Sequence, residues 1–333
     1  MRARQVGATI VKRGARPLVR AGGETLAAVV ERRLRGTALA AGVAVAYHSV
    51  AATTGDPALE LVPAHGVDLF EGELRHLAGR YRVVAAEELE RAVAERRPGE
   101  RFPAAITFDD DLASHVSLAL PVLQRLGVTA TFFLSGASLE TPFSFWWERL
   151  QRAVDSGAPV PDPSFDEPPR IVERSAIRRL GRAAEELTTE DRHRWAEALL
   201  ETAGPDPADA GMRAADVRAL ADAGMTIGFH TRRHDPMTTL DDDRLAVALR
   251  DGRAELEQLA EQRVSVIGYP HGRADERVAA AARTAGFDVG FTTVEAAVTP
   301  LADGLLLGRI NPSYRSVGHF ALQLARSLLA AHR

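Results

Sequence analysis

The sequence predicts an α/β fold built on a parallel sheet, closed as a barrel or open, and three observations carry that prediction. From residue 43 onward, short apolar runs alternate with amphipathic stretches about seven times, the rhythm of repeated strand–helix units. Two of the apolar runs end in Asp109-Asp110-Asp111 and in His230. Ligand sites of parallel α/β folds gather at such strand ends. The rhythm breaks once, between about Ala137 and Gly211.

Taken in order, residues 43–47 read as a first strand. Residues 67–80 read as a helix through the spacing of Leu69, Phe70, Leu74 and Leu77. A strand over 81–84 and a short helix over 87–96 follow, then the strand 104–108 that leads into the carboxylates. The helix expected over 114–126 accommodates Pro121 only with a kink or a late start. After a strand over 129–134, residues 137–211 hold Phe145-Trp146-Trp147, five prolines between 159 and 169, and charged helical sequence around 178–200. This stretch reads as a helical insertion. Alternation resumes with a strand over 225–229, a long helix over 241–261 and a strand over 264–269. A helix over 275–285, strands over 288–292 and 305–310, and a helix over 316–332 complete it. The organisation is thus a basic extension over 1–40 and a domain over 41–333 that the insertion interrupts.

At 333 residues the chain can bury a full core. Its net charge of −4 gives no support for nucleic acid as a partner. Lys12 is the only lysine, so the basic side is almost wholly arginine. The absence of cysteine excludes disulfides and cysteine-ligated metals. No run approaches the ~20 apolar residues of a membrane span. The N-terminus is basic, with no compact apolar stretch and cleavage site after it. The expectation is a cytoplasmic protein whose basic segment is a solvated arm or touches a membrane surface peripherally.

His230-Thr231-Arg232-Arg233-His234 is a weak signal alone, but His230 closes a strand and Asp235-Pro236 follows His234. The histidine pair therefore sits in a strand-to-loop turn. Two imidazoles and a carboxylate converging there make a divalent-metal site with open positions, and a second carboxylate can serve as a base. That is the equipment of a metal-assisted hydrolase.

Thr107-Phe108-Asp109-Asp110, His230 to His234, and Tyr269-Pro270-His271-Gly272 resemble, in order and spacing, the first three motifs of the polysaccharide deacetylase family (NodB homology, carbohydrate esterase family 4). Tyr47-His48-Ser49-Val50 is similar to a pattern in many members. The resemblance covers about residues 43–333 outside the insertion. It implies a distorted (β/α) barrel, zinc as the usual metal, and removal of N- or O-acetyl groups from sugars. Asp109 would be the catalytic base and Asp110, His230 and His234 the metal ligands. The segment of Tyr269 and His271 would serve substrate and oxyanion, through the His271 amide. The donor set also suits cobalt, nickel or iron(II).

Three positions depart from the family pattern. Asp111 replaces the usual glycine and adds negative charge near the metal. Gly268 stands where an arginine usually orients the base. Leu306 to Ile310 occupies the place of a late Leu-x-His motif that supplies a general acid. Arg309 could hold Asp109 instead, and His48 could protonate the leaving amine. Each could equally be a structural strand-end residue. His115 reads as a helix-face residue or as support for the site. Trp146 and Trp147 read as core or as a sugar platform. The insertion should stand over the site, so its removal should change substrate choice more than metal binding.

The expected function is a metal-dependent hydrolase removing an N-acetyl group from an amino sugar or glycan. The alternatives are a deformylase or deacylase of a lipid- or nucleotide-linked sugar, and a carbohydrate-binding pseudoenzyme.

Overall fold

The computed structural model describes residues 22–332. Its centre is a parallel sheet of β1 (Val43–Tyr47), β4 (Arg82–Val84), β5 (Pro103–Asp109), β6 (Thr131–Leu134), β7 (Thr226–Phe229), β8 (Val266–Gly268) and β9 (Val289–Phe291). The neighbours run β1-β5-β6-β7-β8-β9, and β4 shares with β6 one edge of β5. A separate short ladder joins β2 (Val50–Ala51) and β3 (His65–Gly66).

The expected strand over 305–310 forms two isolated parallel bridges rather than a ladder. Leu307 pairs with Phe291 and Ile310 with Val45. Within four residues the chain therefore steps from β9 to β1 and closes the sheet into a distorted barrel. At the step, a Cβ on Gly308 would meet the Val294 carbonyl oxygen at 2.5 Å, so only glycine allows the backbone this close. The crossing turns Arg309 into the barrel, where it is wholly buried.

Strand alternation separates two apolar layers. Ala44, Ala105, Phe133, Val266, Phe291 and Leu307 fill the barrel interior. Val45, Ile106, Phe108, Phe132, Ile227 and Ile267 face the helices. Those helices include α2 (Val67–Arg80), α3 (Leu89–Ala94), α4 (Leu120–Leu126), α8 (Ala214–Asp222), α9 (Asp242–Ala248), α10 (Arg253–Ala260), α11 (Glu276–Thr284) and α12 (Val317–Ala331). A π-type turn over His115–Ala119 precedes α4 and puts Pro121 in its first turn, where the missing N–H costs least. The single helix expected over 241–261 is instead two, because Gly252 adopts φ 85°. A Cβ there would meet the Arg232 guanidinium at 2.6 Å. Arg232, from the histidine loop, pairs with Glu255 of α10.

Residues 137–211 hold α5 (Trp146–Ser156), α6 (Ile177–Glu186) and α7 (Thr189–Ala203) around their own core of Trp146, Trp147, Leu150, Ile177, Trp195 and Leu199. Residues 1–21 of the basic extension lie outside the described residues. Residues 22–35 form helix α1 and are not a solvated arm. Ala27 packs on Ala321 and Ala325, and buried Glu31 accepts a hydrogen bond of 2.6 Å from the Tyr81 hydroxyl. No described helix is long and apolar enough to cross a membrane.

Between β1 and α2, the Tyr47 hydroxyl donates to Glu73 at 2.9 Å, and His65 Nε2 lies 3.8 Å from the same carboxylate. Burial pushes the Glu73 carboxyl up to about 8, against the lowering effect of the Tyr47 bond. The folded value lies above the unfolded one. The stabilising contribution is therefore complete below the unfolded value and is lost as pH rises through about 8. Between pH 6 and pH 9, Tm should fall more steeply in the wild type than in Glu73→Gln. Equal slopes in scanning calorimetry would show that Glu73 is ionised throughout.

Candidate active site

Ala105, Thr107 and Asp109 share the inward parity of β5. The Asp109 carboxylate therefore points into the barrel mouth, where it is 3% exposed. Arg309 grips it with both arms, Nη1 to Oδ1 at 2.6 Å and Nη2 to Oδ2 at 2.8 Å. The remaining donors of Arg309 reach Thr107 Oγ1 at 3.2 Å and the Thr292 carbonyl at 3.1 Å. Burial alone would raise the Asp109 carboxyl. That is the largest single effect, but the Arg309 charge, His230, the Arg309 hydrogen bonds and His48 together outweigh it and hold the group below the usual carboxylate range.

Gly268 stands where the resemblance implies an arginine. A Cβ there would meet the Phe133 ring at 2.8 Å, and one on Gly228 would meet it at 2.5 Å. Phe133 fills that part of the barrel, and the Arg309 guanidinium lies 5.5 Å from its ring centre. The cation comes instead from the segment that bridges β9 to β1, because the aromatic ring occupies the approach from residue 268.

Asp110 follows the last residue of β5 and takes φ 73°, so its side chain leaves the strand alternation and meets the histidines. The ligand atoms of Asp110, His230 and His234 lie within 4.8 Å of one another. Asp110 Oδ1 is 3.6 Å from His230 Nε2 and 3.5 Å from His234 Nε2. His230 Nδ1 is 2.6 Å from the Gly268 carbonyl. With the proton on Nδ1, the Nε2 lone pair is free to ligate. Asp110 Oδ1 is buried with no hydrogen-bond partner. Burial first, then the charges of Asp109, Glu148 and Asp111, pushes its carboxyl well above the usual range. A divalent cation among these three residues answers both features, so the donor set fits a metal.

Thr231, His234 and His271 also have positive φ, of 56°, 51° and 56°. With Asp110 they make four of the six non-glycine residues in that region among the described residues. Backbone strain therefore concentrates at the site, as functional geometry commonly requires. The His271 N–H donates to no acceptor among the described residues.

Other expected residues fall differently. His48 lines the cleft with Nε2 at 3.7 Å from Asp109 Oδ2. Burial lowers its pKa, against the raising effect of Asp109. His115 is not on an exposed helix face: it is buried, and its Nε2 lies 3.1 Å from the His48 carbonyl oxygen. Tyr269 does not reach the cleft. Its side chain is fully buried against Gly290, which corrects its reading as a substrate residue. Asp111 adds charge near the ligands but is committed elsewhere. It accepts from Ser135 N at 2.8 Å, Ser135 Oγ at 2.6 Å and Ala137 N at 3.0 Å, and so pins the chain where the insertion begins.

The cleft above these residues measures about 320 Å³, at the small end for ligand pockets. Trp146 and Trp147 line it, so they are core and wall at once. The Trp147 ring lies 4.7 Å from His234 and Phe145 lies 5.2 Å from it. His193 of α7 sits 3.2 Å from Asp235. The insertion thus braces His234 as well as roofing the cleft, so its removal should disturb metal binding as well as substrate choice. Trp147→Ala should weaken divalent-metal affinity by about tenfold, with Trp147→Phe recovering much of it. Unchanged affinity of Trp147→Ala in a chelator competition would show that the ring does not hold His234. Among the other cleft residues are Leu61, Val62, Arg178, Arg182, Arg273 and Thr293, which the sequence does not reveal. They come from distant segments and carry no motif.

Three solved structures share the fold. The PplD deacetylase of Streptococcus pyogenes is 16% identical, with 86% of this chain and 98% of that one covered and a TM-score of 0.59. IcaB from Ammonifex degensii is 17% identical, with 85% and 97% covered and a TM-score of 0.55. BC0361, a polysaccharide deacetylase from Bacillus cereus, is 16% identical, with 85% and 69% covered and a TM-score of 0.55. No curated protein sequence gives a significant match. The family model for polysaccharide deacetylase matches residues 96–290, a span from just before β5 to β9 that contains Asp109, Asp110, His230, His234 and His271; by that match the chain belongs to the polysaccharide deacetylase family.

Proposed function

We propose that the protein is a metal-dependent hydrolase that removes the N-acetyl group from an amino sugar or glycan. The observation that carries this reading is Asp109, a buried carboxylate clamped by Arg309 beside the Asp110–His230–His234 cluster. Sugar binding alone has no use for such a base, which speaks against a pseudoenzyme.

A divalent ion held by Asp110, His230 and His234, zinc by resemblance to the family, would polarise the acyl carbonyl and acidify a water. Asp109, kept ionised by Arg309, takes a proton from the attacking water as the new C–O bond forms. The His271 N–H is free to donate to the carbonyl oxygen as negative charge builds on it. His48, with its lowered pKa, is neutral at pH 7. It can take up the proton that Asp109 collects and pass it to the amine nitrogen as the C–N bond breaks. The products are a carboxylate and a free amine. Trp146 and Trp147 offer aromatic faces to the sugar ring.

Metal analysis of the purified protein, paired with acetate release from several N-acetylated sugars, tests the reading. The expected result is a single divalent ion per chain and acetate release that a chelator stops. Turnover unaffected by complete removal of metal would overturn it. A second reading, deacylation of a lipid- or nucleotide-linked sugar, is favoured by the charge at the cleft rim.

A further inference from the structure

Three arginines line the rim of the cleft: Arg178 and Arg182 from α6, and Arg273 from the loop after His271. The carboxylate among the rim residues is Glu185, which pairs with Arg273 at 3.4 Å. Arg178 and Arg182 have no carboxylate within ion-pair distance among the described residues. Many other exposed arginines do, including Arg75, Arg91, Arg125, Arg174, Arg194, Arg244, Arg263 and Arg283. The two are four residues apart on α6, so they project from one helix face.

That face is held at the cleft by a close approach. Gly181 lies between them, inside a helix, where glycine is less favourable than alanine. A Cβ at 181 would meet Leu61 Cδ2 at 2.6 Å, and Leu61 is itself a wall of the cleft. Arg178 Nε donates to the Pro57 carbonyl, which fixes its guanidinium and leaves both terminal nitrogens for a ligand.

Resting on the hydrolase reading above, we propose that Arg178 and Arg182 form an anion subsite at the rim. It takes a phosphoryl group linked to the sugar whose acyl group reaches Asp109. Two guanidinium forks suit the oxygens of a phosphoryl group. Phosphoryl oxygens can come from a nucleotide or from a lipid carrier, and the chemistry at the rim is the same.

The two cleft tryptophans provide a binding signal independent of turnover. Their fluorescence is titrated in the metal-loaded protein with N-acetylglucosamine and with N-acetylglucosamine 1-phosphate. The wild type should bind the phosphate at least about tenfold more tightly at low salt, where screening is weak. Arg178→Gln/Arg182→Gln should lose that preference, and Arg179→Gln, exposed on the same helix but outside the cleft, should keep it. No preference in the wild type would overturn the subsite. So would a preference retained by the double variant, which would place the phosphate on the Asp110–His230–His234 cluster. Equal affinity for a uronate-bearing disaccharide would overturn the phosphoryl assignment. Parallel titrations with UDP-N-acetylglucosamine and a short prenyl-diphosphate N-acetylglucosamine distinguish the two sources. Failure of all these sugars to release acetate, with the arginine-dependent preference intact, would sink the hydrolase reading and leave the subsite standing.

Discussion

Asp109→Asn is expected to lower kcat by roughly 10²–10⁴-fold while keeping the divalent metal. His230→Ala/His234→Ala is expected to lose the metal itself. The two variants separate because the groups do different work a few ångströms apart. Asp109 is spent on Arg309 and faces the barrel mouth, whereas Asp110 has turned out of the strand to meet both imidazoles. Asparagine keeps the size of the base and cannot accept a proton at working pH. It also leaves Arg309 buried without a counter-charge, a change that costs about 3–5 kcal/mol in comparable buried pairs. Assays therefore belong well below the Tm of the variant. Near-normal kcat in metal-loaded Asp109→Asn would remove Asp109 from the chemistry. Full metal occupancy in the double histidine variant would remove the basis of the metal centre.

Arg309→Ala should lower kcat by about tenfold or more and move the acidic limb of the pH–rate profile to higher pH. The sign follows from the charges. Burial is the largest single effect on the Asp109 carboxyl and raises it, while the Arg309 guanidinium is the largest effect lowering it, so loss of Arg309 moves the pKa up. The same depression means that the pair's contribution to stability is present above the unfolded carboxylate pKa. It is lost only as pH falls through the lower folded value, so Arg309→Ala should also flatten the acid side of the stability curve. Arg309→Lys should recover part of the activity, because lysine supplies the charge without the two-armed grip. Adding Gly268→Arg to Arg309→Ala should not restore the clamp, since Phe133 fills the space beside residue 268. Further replacement of Phe133 by alanine opens that approach. An unchanged acidic limb in Arg309→Ala would end the positioning role.

Local pattern alone made several features legible. The alternation from residue 43 predicts strands and helices close to those observed, because a buried parallel strand is a short apolar run and each covering helix shows one apolar face. The kinked approach to Pro121 follows from its missing N–H. Asp109, Asp110 and His230 were readable because each lies at or just beyond a strand end, where a polar residue after an apolar run stands out, and His234 by its spacing from His230. Tertiary structure decided what depends on contact between distant segments. The 241–261 helix breaks at Gly252 because Arg232 packs there, and the 305–310 segment bridges β9 to β1 instead of forming a ladder. That crossing decides the question the sequence left open at Arg309, because the arginine points outward or inward according to how the chain steps from β9 to β1, which no local pattern records. Asp111, two residues beyond Asp109, looked like added charge on the metal and is instead a hydrogen-bond anchor for residues 135–137. The cleft rim was the least legible part. Arg178 and Arg182 look like any solvated helix face until Gly181 seats α6 against Leu61, and that packing is a property of the folded chain alone.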